Sequence, residues 1–163
     1  MSATPDVEAR AEQLAGGIYG TIVVAGLLAA TGPDDDPEVW PTALWVMVTV
    51  LVFWVAHSWS LSIARRATGM DPERRGLRRT LAHHWPIFQA SFPPVVVMFV
   101  AAALGANDET AIELAAWSCV LLLAGWGVLV GRQEHESPLR IALTSLGCAS
   151  LGALMIVLKI VIH

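Results

Sequence analysis

Apolar residues along this chain gather in five blocks, at about 14–31, 41–64, 85–105, 110–131 and 138–162, separated by short stretches of charge, proline and glycine. Each block is close to the roughly 20 residues that a helix, rising about 1.5 Å per residue, needs to cross a hydrocarbon core. Lipid offers no partner to backbone polar groups, so a single crossing segment must satisfy them internally, as a helix does. The pattern predicts an all-α fold, a transmembrane helical bundle of five spans forming one domain over residues 1–163, with a basic loop at 65–84.

Composition agrees. The chain is 55% hydrophobic and 15% charged, against roughly a quarter charged in soluble domains. Cys119 and Cys148 both fall inside apolar blocks, where cysteine behaves as a small hydrophobe and indicates no disulfide framework. The first block is short enough to resemble a secretory signal. It follows Asp6, Glu8 and Glu12 with Arg10 as the one base, whereas a signal peptide opens on positive charge, so the block is expected to be a span.

The distribution of charge adds orientation. The connection between the first two blocks carries Asp34, Asp35, Asp36 and Glu38, and the turn between the third and fourth carries Asn107, Asp108 and Glu109. The other two connections hold Arg65, Arg66, Arg74, Arg75, Arg78, Arg79, Arg132 and Arg140, and Arg10 precedes the first span. All nine arginines thus lie on one side of a five-span chain. Basic residues concentrate in cytoplasmic loops, so the expected placement is the plasma (inner) membrane, multi-pass, with the N-terminus cytoplasmic and His163 outside.

Asp71 followed by Pro72 reads as a helix start, and Leu77, Leu81 and Trp85 then recur every four residues. Arg74, Arg75, Arg78 and Arg79 occupy the other faces and are candidate contacts for anionic lipid head groups; a solvated basic linker is the competing reading. In the second block Trp45, Val52 and Trp59 share one face, assigned to lipid, which leaves Thr49, Ala56, His57, Ser60 and Ala64 on the opposite, inward face.

Helices in lipid associate through small residues that let backbones approach. Gly16 with Gly20, Gly127 with Gly131, and Ser145, Ala149 and Ala153 stand at that spacing. Counted from the basic end, Tyr19, His57, Gln89, Thr144 and Ser145 come out at similar depth, about 7 to 11 Å inside, and form a candidate polar layer. Pro93 and Pro94 donate no backbone hydrogen bond, which frees the carbonyls of Gln89 and Ala90 beside that layer and predicts a kink. His57 is singled out because an ionisable group within a span is by default a functional hypothesis; a neutral imidazole bonded to a tyrosine or carbonyl is the structural alternative. His83 and His84 are adjacent and diverge on a helix, which suits interface residues better than a metal pair. At the far end Glu113 and Lys159 lie at similar depth, as an ion pair or with Lys159 snorkelling to the head groups.

The runs GGIYGTIVVAGLLAA, VFWVAHSWS, HHWPIFQASFPP and LKIVIH together resemble a family of small multi-pass membrane proteins of high-GC bacteria, a likeness that covers nearly the whole chain and implies a class but no chemistry. Arg10, Leu14, Gly17 and Tyr19, with Phe53, Trp54 and His57, are more distantly similar to the bacterial relatives of the lysosomal potassium channel. Ala15 and Gly16 stand where that family's motif has serine and aspartate.

No HExxH, GxSxG, intramembrane aspartate pair or phosphate loop is present, so no enzymatic activity, metal or cofactor is expected. Two functions follow from the residues: a non-enzymatic accessory or scaffold protein acting through its faces, as a homo-oligomer or with a membrane protein partner, or an oligomeric ion channel or proton pathway around His57. The bilayer is the expected surrounding, and no nucleic acid is expected as a partner.

Overall fold

The structure is a computed structural model that describes residues 5–31, 37–68, 76–133 and 137–162. Every element in these residues is helical: α1 (Pro5–Ala29), α2 (Val39–Ala67), α3 (Gly76–His83), α4 (Trp85–Gln89), α5 (Phe92–Ala103), α6 (Asp108–Gln133) and α7 (Pro138–Ile162). Five stretches are long and apolar enough to cross a membrane: Glu12–Ala29, Val39–Ala67, Trp85–Ala103, Asp108–Arg132 and Pro138–Val161. They coincide with the five blocks of the sequence. The protein is an all-α bundle of membrane-spanning character.

The third crossing is the irregular one. α3, α4 and α5 follow one another with breaks at His84 and at Ala90–Ser91. Pro86 and Pro93 sit within the first two positions of α4 and α5, where a helix has no intrahelical use for the missing N–H. The chain tightens at both breaks, with Ile87 N–H donating to His84 O and Ser91 N–H to Phe88 O, each at 3.1 Å. The break at Ala90–Ser91 lies within one turn of Pro93 and Pro94, the prolines from which an interruption is expected. The break at His84 stands in the same relation to Pro86.

At the acidic end, opposite the arginines, the turns are closed by side chains and a glycine. Asn107 Oδ1 accepts from the Thr110 N–H at 2.8 Å and caps α6. Glu38 makes no side-chain bond at the start of α2; the Val39 N–H instead donates to Asp108 Oδ2 at 3.0 Å, from 69 residues away. The chain leaves α5 through Gly105 at φ +94°, with Ala106 N–H bonded to Ala101 O and Gly105 N–H to Ala102 O. This crossed pair satisfies the last carbonyls of α5 and needs a residue tolerant of the left-handed region.

α1 packs against α2, α4, α6 and α7. Its glycines make that possible. A Cβ on Gly16 would reach Ile87 at 3.4 Å, one on Gly17 would come to 2.7 Å of the Trp126 ring, and one on Gly20 would run into the backbone carbonyl of Ile87. The second glycine pair works in the same way: Gly127 lies against the Ser145 backbone and Gly131 against Ile141, which seats α7 on α6. Lengthwise, the interior is divided. Toward the acidic end Val24, Ala25, Leu28, Val46, Val50, Met98, Ile112 and Cys119 form one apolar cluster. Toward the arginine end the buried set includes Ser58, Ser62, Thr80 and His84.

One assignment of faces needs correction. Trp45, Val52 and Trp59 are exposed as expected, but Ala56, Ser60 and Ala64 are exposed as well. The buried stripe of α2 is Ala43, Val46, Val50, Ser58 and Ser62, with Thr49 and His57 partly covered. Ser60 satisfies its hydroxyl within its own helix, donating to Ala56 O at 2.9 Å. A small residue so satisfied faces lipid at little cost, and small size alone therefore does not identify an inward face.

Gly20→Ala and Gly127→Ala are expected to lower stability by about 1–3 kcal/mol, the usual cost of overpacking. Gly26→Ala, where a Cβ meets nothing within 4 Å, is expected to leave it unchanged or slightly raised. Unfolding midpoints in one detergent compare the three; equal midpoints would remove the close-approach account.

Candidate functional site: a histidine cluster at the arginine end

Arg65 and Arg66 end α2, Arg78 and Arg79 lie on α3, Arg132 is in the last turn of α6 and Arg140 in the first turn of α7. Arg78 and Arg79 are exposed. Arg74, Arg75 and the Asp71–Pro72 helix start lie outside the described residues. α3 packs on α2 rather than standing apart. Its 77/80/81/84 face is turned inward with Thr80 and His84 buried, and Trp54 Nε1 of α2 donates to Leu81 O at 3.1 Å.

The two adjacent histidines point in different directions, as neighbouring residues on a helix do. Their rings diverge, 72° apart at 5.3 Å between centroids, and each finds a different neighbour. His83 Nε2 lies 2.6 Å from Glu12 Oε2 of α1, donating to the carboxylate when that nitrogen carries a proton. His84 turns inward, 7% exposed, with its ring edge-on to His57 at 5.2 Å. His57 in turn stacks on Phe53 at 6.2 Å and lies 6.3 Å from the Tyr19 ring. A chain of ionisable groups, Glu12, His83, His84 and His57, therefore enters the bundle from its arginine end and stops at Tyr19.

His84 Nε2 and Ser58 Oγ are buried without a hydrogen-bond partner among the protein groups described. Trp54, Ser58 and Ser62 recur every fourth residue on the α2 face that α3 covers, so both orphaned atoms belong to the same α2–α3 interface. Ser62 is satisfied, accepting from Arg66 Nη2 at 3.1 Å. The His84 pKa lies below its usual 6.5 because burial disfavours the cation, with the charges of His57, His83 and Arg65 acting in the same direction and Glu12 opposing them.

The five residues placed at one depth do not form a single layer. Tyr19 and His57 are neighbours, although Tyr19 is 45% exposed rather than turned inward. Gln89 is exposed. Ser145 donates to Ala124 O at 2.9 Å, across the α6–α7 contact, where the Thr144 carbonyl also lies close to Gly127. A helix places equal depths at different angles around its axis, and only Tyr19 and His57 share an angle. The Ile87 carbonyl, not those of Gln89 and Ala90, meets α1 at Gly20. Glu12 lies at the edge of the span, outside that depth, and its spacing of seven from Tyr19, two helical turns, is the signal in the sequence that links it to this face.

No group of three or more His, Cys, Asp or Glu among the described residues is arranged to hold a metal. The fold and this cluster define a class, a multi-helix bundle of membrane-spanning length with a titratable end. No family model, curated protein or solved structure matches the chain.

A depressed pKa in the folded state means that the fold favours neutral His84. The stabilising contribution is complete above about 6.5 and is lost as pH falls below it, because the unfolded chain then binds more protons. The apparent unfolding midpoint is expected to drop between pH 7.5 and 5.5, and His84→Gln to flatten that drop. An identical pH profile in the variant would remove His84 as its cause.

Proposed function

We propose that this protein is a non-enzymatic accessory or scaffold protein of a bacterial plasma membrane, acting through its helix faces on a second copy or on another membrane protein. The observation that carries the reading is the position of α7. It packs on α6 and α1 alone among elements with substantial contacts, and 6% of its apolar window is buried, against 28–39% in the other four spans. Its free side combines large apolar residues, Leu143, Leu146 and Leu154, with Gly147 and Ser150, which are open. A partner helix packs closely over such small residues. The arginine end is cytoplasmic in this reading, with Arg78 and Arg79 at the anionic head groups, the N-terminus inside and the C-terminus outside.

A second reading, an oligomeric ion channel or proton pathway, is favoured by the run from Glu12 through His83 and His84 to His57. Beyond Tyr19 the interior of one chain is mainly apolar, through Val24, Leu28, Val50 and Met98, and the buried hydroxyls of Thr21 and Ser91 donate to carbonyls one turn back. A continuous path would therefore have to run between copies.

Chemical crosslinking in native membranes and sizing in mild detergent are expected to show α7 in an assembly that Gly147→Leu weakens. A monomer at every concentration, free of any associated chain, would overturn the first reading. Liposomes carrying the protein test the second: it requires a cation or proton flux that changes between pH 5 and 8 and weakens in His57→Ala, and flux equal to empty liposomes excludes it.

A further inference from the structure

A crevice of about 250 Å³ opens at the acidic end, between the end of α1, the start of α6 and the end of α7. Its floor is apolar, with Ile112 buried and Ile156 beside it. Around the rim stand two carboxylates, Glu109 and Glu113, a half-exposed Trp117 and, from the opposite helix, Lys159. Among the described residues none of the three charged groups makes an ion pair or a hydrogen bond. Opposite charges thus face a common space without meeting across it.

Depth narrows the occupant. Lys159 lies two residues from the end of its span and Glu113 five residues from the start of its own, or about 3 and 8 Å along the helix axes. That is the level at which head groups meet acyl chains. The volume is below the roughly 300–1,000 Å³ of pockets that enclose a drug-sized molecule, which suits a head group whose chains remain outside, along deeper exposed residues such as Leu121.

We propose that this crevice binds the head group of a phospholipid carrying both a phosphate and a primary ammonium, phosphatidylethanolamine, with Lys159 at the phosphate and Glu113, Glu109 and the Trp117 ring at the ammonium. A carboxylate accepts charge-assisted hydrogen bonds from the N–H groups of a primary ammonium, and an indole face attracts a cation. Phosphatidylcholine has no N–H to donate. Phosphatidylglycerol brings a phosphate but no cation to two carboxylates. The site needs no partner chain, so it stands apart from the assembly proposed for α7.

Native mass spectrometry of the full chain in detergent, titrated with equimolar phosphatidylethanolamine, phosphatidylcholine and phosphatidylglycerol of identical acyl chains, tests the assignment. Phosphatidylethanolamine is expected to be retained roughly five- to tenfold more than the other two, the size of one or two charge-assisted contacts. Glu113→Gln and Lys159→Gln are each expected to remove most of that preference, whereas Glu38→Gln, at the same end but outside the crevice, keeps it. Glycerophosphoethanolamine, which lacks the chains, is expected not to displace the lipid at equal concentration. Equal retention of the three lipids, unchanged preference in both crevice variants, or loss in Glu38→Gln equal to that in Glu113→Gln would overturn the site. Displacement by the chainless head group would overturn its assignment to a lipid.

Discussion

Where Gly20 lies on the carbonyl of Ile87, two backbones run against each other with no side chain between them. In lipid such contacts matter more than apolar burial, since tails solvate leucine as well as a protein interior does. Gly16 and Gly17 extend the approach to Ile87 and Trp126, so that one short stretch of α1 receives both α4 and α6. The packing of α1 against both of these elements depends on it.

The broken crossing has its cause in proline. A straight helix through Pro86 and Pro93 would leave interior carbonyls unpaired, a cost of several kcal/mol each in hydrocarbon. Ending α3 before the crossing and dividing the crossing into α4 and α5 places both prolines in the first turns of helices and tightens the backbone at each break. His84 continues the inward face of α3, its N–H still bonded to Thr80 O at 3.0 Å, and that face carries its ring to His57.

The two ends of the bundle differ in kind. The arginine end combines exposed guanidinium groups with a buried polar interior, and its histidines lie between the two. At the acidic end an apolar core reaches almost to the surface, and charges surround a crevice. Asp108 ties this end together, since its carboxylate closes the first turn of α2 from the start of α6. The histidines and the charged crevice thus lie at opposite ends of the bundle.

The number of spans, their limits within a few residues and the separation of basic from acidic connections follow from the order of residues alone, because hydrophobic length and charge are local properties. The glycine pairs at 16/20 and 127/131 were also legible, since a helix repeats its face every three to four residues. Which partner each pair meets was not. Nor could depth along separate helices show that Gln89 faces outward while His57 meets His84, because rotation about each axis is set by packing between helices. Glu12 with His83, Asp108 with Val39, and the charges around the crevice join residues far apart in the chain. Such juxtapositions depend on how rods of known length are rotated and shifted against one another, and only the tertiary structure decides that.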